Sequence, residues 1–234
     1  MTYNFGYVDH VGVLKDGRAV FAWHDYCLTG SSPCSSNKTT MQNAHARAAQ
    51  TQQGTFMTEY GATTSKKGLT SMVSLADKYM VPWTEWAYCT CGDPTGAANE
   101  GMVFNPRKPK TRSNLRMSIV RSLVEPYPEL VAGTPQSWSF DRSTKTFKLS
   151  YRATKASGKG RFAAGSITEI AIPSRVFSHG YSVSVRGGAI TSHPRSGLLR
   201  IASCRRAKTI TVTVTSSGKN HETCSAAVEV TGAS

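Results

Sequence analysis

His24, Tyr26, Glu59, Tyr60 and Trp86 bring together an imidazole, two phenols, a carboxylate and an indole, and each falls where a strand-like segment ends. Such a set suits sugar chemistry. A carboxylate can attack an anomeric carbon or stabilise an oxocarbenium-like transition state. A neighbouring tyrosine hydroxyl can hold such a carboxylate ionised and oriented by donating to it. A tryptophan face can pack against the apolar C–H face of a pyranose ring.

The elements that must position these groups alternate in type. Residues 18–24 form a short apolar run of the kind found in buried parallel strands. Residues 37–52 are polar and rich in Ala and Gln, with Asn37 as a candidate helix N-cap. A second strand is expected over 55–60, a helix over 68–79 with apolar residues at helical spacing, and a third strand from Met80 to about Tyr88. A Gly/Pro/Lys loop over 92–112 leads to a helix near 113–124, stopped by Pro126 and Pro128. This order gives three right-handed β/α units.

From residue 131 the period changes to two, with Phe147, Leu149 and Tyr151, then Tyr181, Val183 and Val185, then Ile210, Val212 and Val214 alternating with polar residues. Short alternating strands between Gly/Ser/Pro turns indicate an antiparallel β-sandwich. The expected fold is therefore α/β plus all-β: residues 1–130 as the last units of an incomplete (β/α)8 TIM barrel, residues 131–234 as the sandwich, with Gly133-Thr134-Pro135 marking the change. A barrel needs eight strands and about 250 residues. Three parallel strands alone would leave a hydrophobic edge open, so the earlier strands are expected outside this sequence.

Of the 234 residues 39% are hydrophobic and 18% charged, which is the composition of a chain with a real core. No stretch approaches the roughly 18 apolar residues of a membrane span, and no signal peptide is visible at Met1–Gly6. The formal charge of +14 is uneven: Lys and Arg less Asp and Glu gives 13 − 10 = +3 for residues 1–130 and 15 − 4 = +11 for residues 131–234. A basic patch can attract anionic lipid, acidic polysaccharide or nucleic acid, or simply keep the surface solvated. The basic residues have neither a recognition helix nor an aromatic RNA-binding motif, so a nucleic-acid partner is not expected. Six cysteines suggest disulfides and an oxidising compartment. Cys27 with Cys34 would close a loop, and Cys204 with Cys224 would tie late strands. Cys89 and Cys91 are close for a mutual bridge, and Cys-Thr-Cys is a weak zinc signal.

Gly54-Thr-Phe-Met-Thr-Glu59-Tyr-Gly-Ala62, preceded by His24-Asp25-Tyr26-Cys27 and followed by Trp83-Thr-Glu-Trp86-Ala-Tyr88, resembles glycoside hydrolase family 5, and within it the endoglycoceramidase group. The resemblance continues through Glu125-Pro-Tyr-Pro128 and Ala132-Gly-Thr-Pro135 into Ser137-Trp-Ser-Phe140. It implies a retaining hydrolase that releases an intact glycan from a glycolipid, secreted or at the cell surface, with no metal or organic cofactor. Glu59 is then the nucleophile at the end of strand seven, and His24 and Tyr26 match the family's His-x-Tyr at the end of strand six. Trp86 matches the strand-eight tryptophan beneath the sugar, and Tyr60 is read with it as substrate-binding. The family's acid/base glutamate, which follows an asparagine on strand four, has no counterpart here. An upstream polypeptide completing the barrel is accordingly an expected partner, beside a glycolipid or oligosaccharide substrate and an anionic membrane surface.

Of the other carboxylates, strand alternation turns Asp25 and Glu85 away from the site, while Asp93 and Glu100, on the long loop, stay open as substitutes for the missing role. Some residues also have bland readings: His24 as a packed scaffold residue, and Trp83 and Trp138 as core. His45, His179, His193 and His221 show no ligand spacing and receive no role. Two wider alternatives stand: a non-catalytic lipid- or glycan-binding remnant, and a β-glucosidase or glucanase acting on soluble glycan or sterol glucoside.

Overall fold

A computed structural model describes residues 12, 14, 16, 18–27, 33–92 and 100–224. The chain divides into two compact units, Met1–Leu123 and Val124–Ser234.

In the first unit, β1 (Val20–Asp25) lies parallel to β2 (Gly54–Tyr60), joined through α1 (Ser36–Thr51). Helix α2 (Lys66–Tyr79) follows β2 and starts at Ser65, whose side chain accepts the Gly68 N–H at 3.1 Å, satisfying one of the open donors of the first turn. Leu69, Met72, Val73 and Ala76 recur at helical spacing and bury one face in a core with Phe21, Trp23, Met41 and Met57. The helix ends at Met80, which takes a left-handed φ of 54°.

The third strand expected over 80–88 is replaced by a looser arrangement. The chain runs alongside β2 in the parallel sense but pairs only in isolated bridges, Met57 with Trp83 and Gly61 with Trp86. Pro82 supplies a carbonyl to the Met57 N–H at 3.0 Å but has no N–H to give. The spacing also differs, three residues from Trp83 to Trp86 against four from Met57 to Gly61, so no regular ladder can run between the two segments.

Asn37 is another correction. It lies inside α1 and is buried rather than capping it. Its Oδ1 accepts the Cys34 N–H at 2.9 Å and its Nδ2 donates to Asp25 Oδ1 at 3.1 Å. It thus ties the helix start to the end of β1. The helix expected near 113–124 is split into a 3-10 turn at Arg112–Asn114 and α3 (Met117–Leu123). Asn114 explains the break: its buried Nδ2 donates to the carbonyls of Asn105, Lys108 and Pro109. Leu115 is accordingly extended and bridges Val103.

The second unit holds two four-stranded sheets. One has the order β4 (Thr134–Asp141), β5 (Thr146–Arg152), β10 (Thr209–Thr215), β7 (Ser182–Arg186). The other runs β3 (Tyr127–Leu130), β6 (Ile167–Ala171), β9 (Leu198–Ser203), β8 (Gly188–Ile190). Every pairing is antiparallel. Alternation puts Phe147, Leu149, Tyr151, Val183, Val185, Ile210, Val212 and Val214 into one core with Ile170, Leu199 and Ile201 from the other sheet. Trp138 packs against its edge. Strand β3 pairs with β6, so this unit begins ahead of Gly133. Buried Glu125 accepts from Arg142 Nη2 at 2.8 Å in the same unit.

A Cβ at Gly133 would fall on the Arg152 carbonyl oxygen and come 2.7 Å from the Tyr151 ring. Gly133→Ala is expected to cost about 3 kcal/mol in urea unfolding, because strand backbone cannot yield as a flexible side chain can. Gly197→Ala is the control, with nothing within 4 Å of the added carbon. Equal stability of the two variants would contradict the packing at Gly133.

Disulfides join Cys27 to Cys34, Cys89 to Cys91 and Cys204 to Cys224. The spacing of the middle two cysteines makes a mutual bridge hard and leaves their partners open; they pair with each other, with Cα atoms 5.3 Å apart.

Candidate functional site

The site begins with an irregularity in the parallel pair. Up to Trp23 opposite Met57 the register of β1 and β2 is regular; then His24 stands opposite Glu59 and Asp25 opposite Tyr60. Thr58 is therefore an extra residue in β2, a bulge of the kind that re-aims the side chains beyond it. Its hydroxyl donates to the Trp23 carbonyl at 3.1 Å, and its own carbonyl accepts from the Thr84 hydroxyl. The bulge is held from both flanking segments.

Beyond it, three of the expected residues come together. Tyr26 donates its hydroxyl to Glu59 Oε2 at 2.7 Å, and His24 Nδ1 lies 3.0 Å from the same oxygen. A carboxylate only accepts, so Nδ1 is assigned as the protonated nitrogen. The two rings stand edge to face, 6.1 Å apart at 88°. His24 is 5% exposed and the Glu59 side chain 26% exposed. Among the described residues Oε1 of Glu59 receives no hydrogen bond, so one oxygen is clamped and the other is open.

Tyr60 does not join them. It is 1% exposed and packs edge-on against Trp83 at 5.3 Å. A strand alternates faces, so the neighbour of Glu59 points into the core; the expectation that Tyr60 touches substrate is corrected. Trp86 is placed by its backbone: its N–H donates to the Tyr60 carbonyl at 2.8 Å and its carbonyl accepts from Ala62 at 2.7 Å. Its side chain is half-buried.

Two other carboxyls have perturbed acidity. Asp25 is buried on the Asn37 side, and burial pushes its pKa up to about 6 against the lowering effect of the Asn37 hydrogen bond. Glu85 lies over Gly61, where an added Cβ would come 3.1 Å from its Cγ. Burial, and then the charge of Glu100, push its carboxyl up to about 8. Both its oxygens are enclosed without a hydrogen-bond partner among the described residues. Glu85 holds a proton at neutral pH as a general acid must, but it does not present that proton to solvent. Asp93 lies outside the described residues.

Reasoning from the sequence missed Thr58, gave Asn37 a capping role and did not foresee the burial of Glu85. A bulge leaves no mark in a period-two pattern, and the burial of Glu85 depends on how an irregular segment meets Gly61. No group of three or more His, Cys, Asp and Glu is placed to hold a metal among the described residues.

The chain is similar to endoglycoceramidases, and part of it matches a domain of glycoside hydrolase family 5. Residues 126–215 match the family model described as the glycoside hydrolase family 5 C-terminal domain. Endoglycoceramidase I of Rhodococcus hoagii (strain 103S) is 26% identical over 201 residues, covering 80% of this chain and 35% of the relative. An endoglycoceramidase of Hydra vulgaris is 27% identical over 154 residues, covering 64% and 27%. The chain thus spans about a third of the length of the curated relatives it matches. Among solved structures, endo-glycoceramidase II from Rhodococcus sp., seen as a lactosyl-enzyme intermediate, shares the fold with a TM-score of 0.67 at 22% identity, over 92% of this chain and 47% of that one. The same enzyme has been solved in complex with ganglioside GM3. Cryptococcus neoformans sterylglucosidase 1 is similar at a TM-score of 0.56 and 14% identity, over 76% of this chain and 32% of that one.

Proposed function

We propose that this chain carries the nucleophile half of a retaining glycosidase of endoglycoceramidase type, acting on a glycolipid or related β-glycoside. One observation carries the reading: Glu59 stands at the end of a parallel strand with one oxygen held by Tyr26 and His24 and the other open. Strand ends are where β/α barrels gather their chemistry. In this proposal β1, β2 and the segment through Trp86 are the last three strands of a (β/α)8 barrel. The parallel pairing and the intervening helices support it.

Oε1 of Glu59 attacks the anomeric carbon, and the glycosidic C–O bond breaks as its oxygen takes a proton from a second carboxyl. Water then attacks the glycosyl ester, gives its proton to that same carboxylate, and frees Glu59. The lactosyl-enzyme intermediate of the Rhodococcus structure supports a covalent route. Trp86 offers its ring to the sugar. The second carboxyl belongs, on this reading, to polypeptide outside this sequence, and the chain by itself turns over no substrate. Three disulfides support a secreted or cell-surface setting.

The test is to supply the earlier strands, expose the assembly to an activated 2-fluoro-β-glycoside and map the labelled peptide. A label on Glu59 supports the reading, and a label on any other residue removes it. In the same assembly Tyr26→Phe leaves Oε2 with one donor. An expected loss of about 10²-fold in kcat/KM on an aryl β-glycoside corresponds to about 2.7 kcal/mol. Activity equal to the parent would deny Tyr26 its part in holding the carboxylate.

A further inference from the structure

The sandwich unit contains a cleft of about 390 Å³ between the turn after β6 and the loop before β9. Its size is that of a small-molecule site. Ser174, Ser178, His179, Tyr181 and Arg195 line it together with Phe177. The two walls are fixed to each other. Tyr181 donates its hydroxyl to the Ser196 carbonyl at 2.8 Å, and the Ile172 N–H donates to the Gly197 carbonyl at 2.8 Å. Phe177 and Tyr181 meet edge to face at 5.9 Å.

Arg195 is laid down by the backbone around it. It takes a left-handed φ of 64°, and its chain crosses Gly180, where a Cβ would come 3.2 Å from Nε and 3.4 Å from Cγ. Gly180 itself has φ 94°, so a side chain there is disfavoured on both counts. No carboxylate lines the cleft. Residues 131–234 hold four acids against fifteen Lys and Arg, and the described acids are engaged elsewhere. Asp141 accepts from Ser143 and Thr144, Glu169 pairs with Arg200 at 2.9 Å, and Glu222 accepts the Ile190 N–H at 2.7 Å. Arg195 forms no ion pair among the described residues.

A guanidinium of this kind selects a planar oxyanion such as a carboxylate. Two serine hydroxyls and an imidazole around it can give and take hydrogen bonds, which suits the hydroxyls of a sugar. Phe177 is buried in the core, and the half-buried Tyr181 is the aromatic side chain of the cleft that suits the apolar face of the same ring. We propose that this cleft binds the carboxylate-bearing unit of an acidic saccharide, so that the sandwich holds a glycan-binding site of its own, independent of Glu59.

The test is a titration of the ¹⁵N-labelled full chain with glucuronate, glucose and inorganic sulfate, read by amide shifts. Glucuronate should move the Ser178, His179 and Gly180 amides saturably, and glucose and sulfate should each bind at least tenfold more weakly. Arg195→Gln should weaken glucuronate at least tenfold. Ser178→Ala, which leaves the charge and the loop in place, should weaken it severalfold. Glu59→Gln should leave the affinity unchanged, which separates this site from the catalytic reading. Equal binding of glucose removes the role of the charge, equal binding of sulfate removes the sugar, and undiminished binding by folded Arg195→Gln or Ser178→Ala overturns the site.

Discussion

Glu59→Gln, made in an assembly that contains the earlier barrel strands, is expected to lower kcat by at least about 10⁴-fold, as removal of a covalent nucleophile does. The amide is nearly isosteric and can still meet the Tyr26 hydroxyl, so the loss reads the nucleophile and not the fold. A smaller variant makes the result specific. Glu59→Ala opens space beside His24 and Tyr26, and azide can then attack the anomeric carbon in place of the carboxylate. A β-glycoside would give the α-glycosyl azide, with the aglycone leaving as before, and Tyr26 and His24 intact. Retention of more than about a tenth of the parent rate by Glu59→Gln would show that the chemistry runs through another group. The expected effect follows from the clamp: two donors on Oε2 aim a single open oxygen.

The second large effect is on stability. Glu85 keeps its proton in the fold up to about pH 8, while in an unfolded chain it titrates near 4.5. Below 4.5 both states are protonated and its full contribution is present. Between 4.5 and about 8 the unfolded chain has released the proton and the folded one retains it, so stability falls as pH rises. At about 1.36 kcal/mol per pKa unit the fall across that window is roughly 5 kcal/mol. Asp25 acts with the same sign over a narrower range, from 3.8 to about 6. Glu85→Gln has no proton to lose and should flatten the profile. Urea unfolding followed by tryptophan fluorescence at pH 4, 6 and 8.5 would show parent and variant close together at pH 4 and several kcal/mol apart at pH 8.5, the variant higher. Glu100→Gln should recover the smaller share that its charge contributes. Parallel profiles for parent and Glu85→Gln would mean that the carboxyl is solvated in solution.

Much of the fold is legible in the order of residues. The period-two runs at 146–152, 182–186 and 209–215 alternate polar and apolar side chains, which only a sheet with one covered face accommodates, and all three are strands. The spacing of Leu69, Met72, Val73 and Ala76 likewise admits only a helix with one buried stripe. The segment after Met80 was less legible. Its apolar content is that of a strand, but pairing depends on matched spacing in a neighbour, and Pro82 and the shorter step to Trp86 spoil it. Asn37 and Asn114 were misread or missed for a related reason. Each is buried because an irregular loop close by in sequence folds its polar groups onto the side chain, and such a loop carries no helical or strand period to mark it.

Within the site, residue types and local context were enough to expect Glu59, Tyr26 and His24 side by side, because strand ends gather such groups, and the three do stand together. Tertiary structure decided which of their neighbours could take part. The bulge at Thr58 sets Glu59 opposite His24, and the alternation beyond it turns Tyr60 into the core. The protonated state of Glu85 and the lie of Arg195 across Gly180 are likewise products of packing. Side-chain chemistry is a property of each residue, whereas register, burial and proximity are properties of pairs of segments and exist only once those segments have met.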